Sequence, residues 1–207
     1  GWTRATLQDE KKDIKIEQHL DAQVPLDLMF RDETGSQITL GEAMDGKPAV
    51  LALVYYSCPS LCSVVLNGVE GVVDATKYQI GKDYSVVTVS IDPTEKPELA
   101  RAKKAAHMVH LHREGADRAW HFLTGDEESI ARLASTVGFR YAYDPKTKQY
   151  AHAAGIMVLT PHEEPDCFTV TSILRNLPQL PEFVVGWDYP LMKVASDLNP
   201  DALRRPQ

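Results

Sequence analysis

The apolar run Ala49-Val-Leu-Ala-Leu-Val-Tyr-Tyr56 passes directly into Ser57-Cys-Pro-Ser-Leu-Cys62, and this junction constrains the fold more than any other stretch. A short, unbroken apolar run that opens after Lys47-Pro48 reads as a strand buried on both faces. Beyond Cys62 the period changes. Val64, Val65, Val69, Val72 and Val73 are spaced for one buried side of a helix over 64–77. A doubly buried strand feeding a helix belongs to α/β architecture. The two thiols lie at the C-terminal end of the strand, the usual functional edge of such a sheet. There the free N–H groups and dipole of the following helix favour negative charge.

The rest of the chain repeats the alternation. Asp32-Glu-Thr-Gly35 reads as a turn between short strands at 28–30 and 37–40. Residues 83–91 form a second β-branched strand. Asp92-Pro93-Thr-Glu-Lys-Pro97 is a turn opening a helix that reaches about Arg113, with Pro97 early in it. Residues 120–124 form a third strand, and Asp126 is suited to cap a helix over 127–137. Residues 139–143 and 149–151 pair across Asp144-Pro-Lys-Thr147, and 155–160 is a further buried strand. The expectation is an α/β sandwich with a central mixed sheet flanked by helices. An N-terminal β-hairpin extends it, and residues 1–24 form an arm or tether.

Composition excludes several classes. With 207 residues, 43% hydrophobic and 25% charged, the chain suits one domain with a real core. No run approaches the ~18 apolar residues of a membrane span. A net charge of −7 argues against nucleic-acid binding, and Arg101-Ala-Lys-Lys104 reads as a solvated helix face. Gly1-Trp-Thr-Arg-Ala5 does not read as a signal peptide, and because an export or anchor segment can be removed from a mature form, this implies no cytoplasmic address.

Three cysteines are too few for a disulfide scaffold. The close pair, Cys58 and Cys62, can bind one soft metal ion or close as a disulfide, and both options need a thiolate. Cys167 is expected to be a surface thiol. Of the seven histidines, His152 in Tyr150-Ala-His-Ala-Ala-Gly155 is best placed. It is expected in a loop just before strand 156–159, beside the cysteine turn if that strand neighbours 49–56. Two thiolates and an imidazole suit Cu(I), and Cu(II) with a further ligand. Zinc accepts the same donors but prefers a fourth. His107, His110 and His112 read as surface or partly buried side chains. One of Tyr55 and Tyr56 is expected to line the site. No Ser-His-Asp order, phosphate-cradling glycine loop or HExxH motif is present.

Four segments together resemble the SCO/SenC family, the copper proteins of cytochrome oxidase assembly. They are Val54-Tyr-Tyr-Ser-Cys-Pro-Ser-Leu-Cys62, Val87-Thr-Val-Ser-Ile-Asp-Pro93, His121-Phe-Leu-Thr-Gly125 and Tyr150-Ala-His-Ala-Ala-Gly-Ile-Met-Val-Leu-Thr-Pro161. Order and spacing agree from residue 25 to residue 161. The resemblance implies a thioredoxin-like fold over 25–207, with 162–207 divergent and only Phe183-Val-Val-Gly-Trp-Asp-Tyr-Pro190 echoing a further strand and turn. It implies Cys58, Cys62 and His152 as ligands of one copper ion, as Cu(I) or Cu(II), with Cys58 and Cys62 also the redox pair. The implied role is a copper metallochaperone for the dinuclear copper site of cytochrome c oxidase. Its partner would be oxidase subunit II or another copper acceptor. A monomer is expected, in the periplasm or on the outer face of the inner membrane. The alternative is a thiol–disulfide oxidoreductase in which Cys58 attacks and Cys62 resolves. A third reading is a peroxide-reducing enzyme of related fold.

Overall fold

The computed structural model describes residues 14–17, 19–58, 61–161 and 167–175, with the side chains of 61, 62 and 171–175 outside that description. The elements run β1 (Met29–Arg31), β2 (Gln37–Thr39), α1 (Leu40–Met44), β3 (Ala49–Val54), α2 (Leu61–Ala75), β4 (Ser85–Ser90), α3 (Pro97–Met108) and α4 (Ala116–Ala119). They continue with β5 (Trp120–Leu123), α5 (Glu127–Thr136), β6 (Tyr141–Asp144), β7 (Gln149–His152), β8 (Gly155–Pro161) and β9 (Phe168–Arg175). The main sheet has the order β5-β4-β3-β8-β9. β3, β4 and β5 are parallel to one another, while β8 runs antiparallel to β3 and β9 antiparallel to β8. This is the mixed sheet expected from the alternation, with β3 at its centre.

Each strand forms for a legible reason. β3, β4 and nearly all of β8 are buried along their whole length, which explains why their sequences are apolar or β-branched rather than alternating. α2 buries Val65, Leu66, Val69, Val72 and Val73. Val64, expected on that side, is instead exposed. Asp126 caps α5 by accepting from the Ser129 amide at 2.8 Å. α3 ends at Met108 rather than near Arg113. The chain turns away there, and Arg113 donates to the carbonyls of Thr76 and Tyr78, both at 2.9 Å, beyond the end of α2.

The resemblance faded after Pro161, yet the chain returns as β9, pairing with β8 from Pro161↔Phe168 to Gly155↔Arg175. The 183–190 segment expected to supply a strand lies outside the described residues.

Both edges of the main sheet are covered. Along β5, the Phe122 amide donates to Glu33 Oε2 at 3.1 Å, and Arg31 and Thr124 exchange backbone hydrogen bonds of 2.7 and 2.9 Å. The β1–β2 hairpin therefore closes that edge against further strand pairing. Lys104 of α3 holds the other Glu33 oxygen in a buried ion pair. On the opposite edge, Asp21 and Val24 donate to the Val170 and Phe168 carbonyls. The arm expected over 1–24 thus lies against the body where it is described, with Ile16 and Val24 buried. No helix among the described residues is long and apolar enough to cross a membrane.

Candidate functional site

β3 ends at Val54, whose carbonyl takes the last sheet bond from the Ile91 amide at 2.7 Å. The chain then turns through Tyr55, Tyr56 and Ser57 to Cys58. Those turn amides lie beyond the ladder and need acceptors. Glu95, in the turn between β4 and α3, supplies two of them. Its Oε2 accepts from the Tyr56 amide at 2.7 Å and its Oε1 from the Ser57 amide at 2.7 Å. The Ser90 hydroxyl donates to Oε2 at 2.6 Å. The Cys58 amide bonds back to the Tyr55 carbonyl at 3.2 Å. Cys58 is buried, at 7% exposure. Three residues later the chain enters α2, whose first turn carries Cys62.

The two tyrosines divide their roles. Tyr56 points into the core, where its hydroxyl donates to the Leu123 carbonyl at 2.8 Å. Burial pushes its pKa far up, with the charges of Glu95 and Glu33 adding to the rise. Tyr55 faces the β6–β7 hairpin. Its ring lies 5.5 Å from Tyr150 and 5.8 Å edge-on from His152. Tyr55 is therefore the link between the cysteine turn and the histidine.

His152 is not in a loop, as the sequence led us to expect. It is the last residue of β7, opposite Tyr141 in β6, and the chain needs only two more residues to enter β8. The hairpin register sets its position, and β8 beside β3 brings it to the cysteine end of the sheet. Its ring is buried between Tyr55 and Phe139, the latter at 6.0 Å. Nδ1 lies 2.9 Å from the Ala153 carbonyl oxygen. A carbonyl can only accept, so Nδ1 carries the proton and the neutral ring has its lone pair on Nε2. Burial lowers the His152 pKa, and the Ala153 bond opposes part of that shift. The imidazole thus favours its uncharged form.

Tyr150 packs in turn on Tyr141 and Tyr143, at 6.0 and 5.0 Å. Burial, with Asp92 adding, pushes the Tyr150 hydroxyl up to about 12, so this wall carries no charge at neutral pH. Among the described residues no three His, Cys, Asp or Glu side chains gather as a metal cluster. The Cys62 side chain lies outside that set.

The other candidates fall elsewhere. His107 Nδ1 meets Glu70 Oε2 at 2.7 Å, and its ring packs on Trp120 and Phe122, which ties α3 to α2 and β5. His110 and His112 are exposed. Cys167 is half-buried beside the β9 foot, next to the Phe168↔Pro161 pair. That is the opposite end of the sheet from Cys58, about 20 Å away at ~3.3 Å per strand residue. Sequence reasoning missed Glu95, read only as part of a turn, and Phe139. The turn itself is ordered locally: Asp92 Oδ1 accepts from the Thr94 amide at 2.8 Å and the Asp92 carbonyl from the Glu95 amide at 3.2 Å.

The profile of the SCO1/SenC family matches residues 18–172. The chain belongs to the SCO1/SenC family. Solved structures agree in fold. A protein from Aquifex aeolicus VF5 described as an electron-transfer protein superimposes with a TM-score of 0.66 at 21% identity, over 80% of this chain and 90% of its own. Bradyrhizobium japonicum ScoI with copper bound gives 0.58 at 20% identity, over 84% and 99%. BsSco, a member of the Sco family of cytochrome c oxidase assembly proteins in which a disulfide switch was identified, gives 0.60 at 17%, over 86% and 94%. No curated protein matches the chain. The fold is thioredoxin-like, as these neighbours are.

Proposed function

We propose that this SCO1/SenC protein binds one copper ion through Cys58, Cys62 and His152 and delivers it during assembly of the dinuclear copper site of cytochrome c oxidase. The observation that carries the reading is the state of His152. It is buried at the cysteine end of the sheet, held neutral, and fixed by the Ala153 carbonyl in the tautomer with its lone pair on Nε2. A reductase working only through its thiols has no use for an imidazole prepared in this way. Copper bound to ScoI and the oxidase-assembly role of the Sco family, to which BsSco belongs, support the same reading.

In this account copper is cargo. The two thiolates supply soft donors and the imidazole a borderline one, a set that suits Cu(I) and accepts Cu(II) when another ligand joins. The uncharged aromatic wall of Tyr55, Phe139 and Tyr150 limits water at the histidine side. Transfer proceeds by exchange of these ligands for those of an acceptor, such as oxidase subunit II. Oxidation of Cys58 and Cys62 to a disulfide removes two donors, so loading follows the redox state of the pair. The setting is the periplasm or the outer face of the inner membrane.

The competing reading is a thiol–disulfide oxidoreductase. His152→Ala separates the two: it weakens copper binding in the first and leaves exchange with a small disulfide unchanged in both. Unaltered copper affinity in the variant, with exchange retained, would favour the oxidoreductase and sink the copper reading.

A further inference from the structure

We propose that Glu95 is the positioning residue of the cysteine site, its buried carboxylate fixing the Tyr56–Ser57 backbone and so the distance between Cys58 and Cys62. The inference rests on reading Cys58 and Cys62 as the working pair, whichever of copper binding or disulfide exchange they perform.

Cys62 is anchored from one side, because it belongs to the first turn of α2. Cys58 needs a separate anchor, since the last sheet bond of β3 is made four residues earlier, at Val54. Three consecutive backbone amides in this turn, those of Tyr56, Ser57 and Cys58, have partners. Tyr56 and Ser57 donate to the two oxygens of Glu95, one each, and Cys58 donates to Tyr55. Two adjacent amides gripped by one carboxylate lock the peptide plane between them.

Glu95 has no other visible task. It is 8% exposed and forms no ion pair among the described residues. Among the described residues its carboxylate is held by the Tyr56 and Ser57 amides and by the Ser90 hydroxyl, which buttresses Oε2 from the end of β4. Burying a carboxylate without a cation is costly unless hydrogen bonds replace its water. That cost is met beneath the cysteine turn, where preorganisation raises the effective concentration of one thiol at the other.

The test uses metal-free protein, so it does not depend on copper. Wild type, Glu95→Gln and Glu95→Asp are equilibrated anaerobically with glutathione buffers. The protein disulfide plus two glutathione thiols gives the protein dithiol plus glutathione disulfide, and the forms are trapped and counted. Glutamine keeps the length but replaces one acceptor with an NH₂ facing an amide N–H. The expected result is an approximately tenfold loss of disulfide over dithiol, equivalent to about 30 mV for this two-electron couple. Glu95→Asp keeps both acceptors and recovers part of that loss. A role in general stability alone lowers the melting temperature of both redox forms together and leaves the equilibrium constant unchanged, and that result overturns the proposal. Should Glu95→Gln fail to fold by circular dichroism, Ser90→Ala leaves the Glu95 carboxylate in place, removes its buttress together with the hydroxyl's bonds to the Asp92 backbone, and shifts the constant the same way by about threefold. An unchanged constant there also overturns it. Wild-type Cu(I) affinity, measured separately, reports on the copper reading without touching this one.

Discussion

Replacing Lys104 with methionine tests whether the sheet edge is held by a buried ion pair. Lys104 and Glu33 have side-chain exposures of 10% and 12%, so water does little to screen either charge. Glu33 also accepts the Phe122 amide of edge strand β5, and Lys104 donates to the Asp117 carbonyl. Methionine fills most of the lysine volume but leaves the Glu33 carboxylate buried without its cation. Removing one partner of such a pair costs about 3–5 kcal/mol. For a domain of this size, each kcal/mol lowers Tm by roughly 2–4 °C, so a fall of about 6–20 °C is expected. Calorimetry or urea unfolding followed by circular dichroism reads it. The double variant Glu33→Gln/Lys104→Met removes both charges, while the glutamine oxygen still accepts from Phe122. It should be more stable than Lys104→Met alone, because no unpaired charge remains. A loss below about 1 kcal/mol for Lys104→Met, the behaviour of an exposed pair, would refute the argument that this clamp is desolvated.

Two further outcomes follow from the geometry. Burial lowers the His121 pKa below its ordinary value near 6.5, against the opposing pull of Glu33, and its buried Nδ1 has no hydrogen-bond partner among the described residues. The folded state therefore prefers the neutral ring: its contribution is full above about pH 6.5 and is lost as pH falls through the lower folded value. His121→Gln should flatten the fall of stability in that acid window, and an unchanged pH slope would contradict the assignment. Gly138 has φ of +71°, and a Cβ there would lie 2.2 Å from the Glu17 carbonyl oxygen. Gly138→Ala should cost at least about 1–2 kcal/mol of strain and displace the arm, giving faster tryptic cleavage at Lys15. Cleavage at the wild-type rate would mean that the arm does not depend on this contact.

How much of this was written in the sequence depends on how local each signal is. The β3 strand, the Asp126 cap and the β1–β2 hairpin rest on short-range pattern and were legible. That 155–160 neighbours 49–56 entered the sequence reading only as a condition, and the structure supplies it, since β8 pairs with β3. β9 was missed because Phe168, Thr169 and Val170 are all buried, so no clean alternation marks the strand, and the family likeness fades before it. The covering of the β9 edge by residues 21–24 was equally hidden, since two isolated buried residues, Ile16 and Val24, make no period. At the site, the cysteines announced themselves and His152 came from the family resemblance. The strand placement of His152 and its Ala153 bond needed the structure. Glu95 could not be found from sequence at all, because its partners are 5, 38 and 39 residues away.

The central claim is that His152 is prepared as a copper ligand beside the cysteine pair. The most direct measurement is Cu(I) affinity of the fully reduced protein, taken anaerobically against a competing chelator, for wild type and His152→Ala. The account predicts one-to-one binding in the wild type and a loss of at least about tenfold, or ~1.4 kcal/mol, in the variant. Equal affinities for the two proteins would contradict it and leave the cysteines as a redox pair alone.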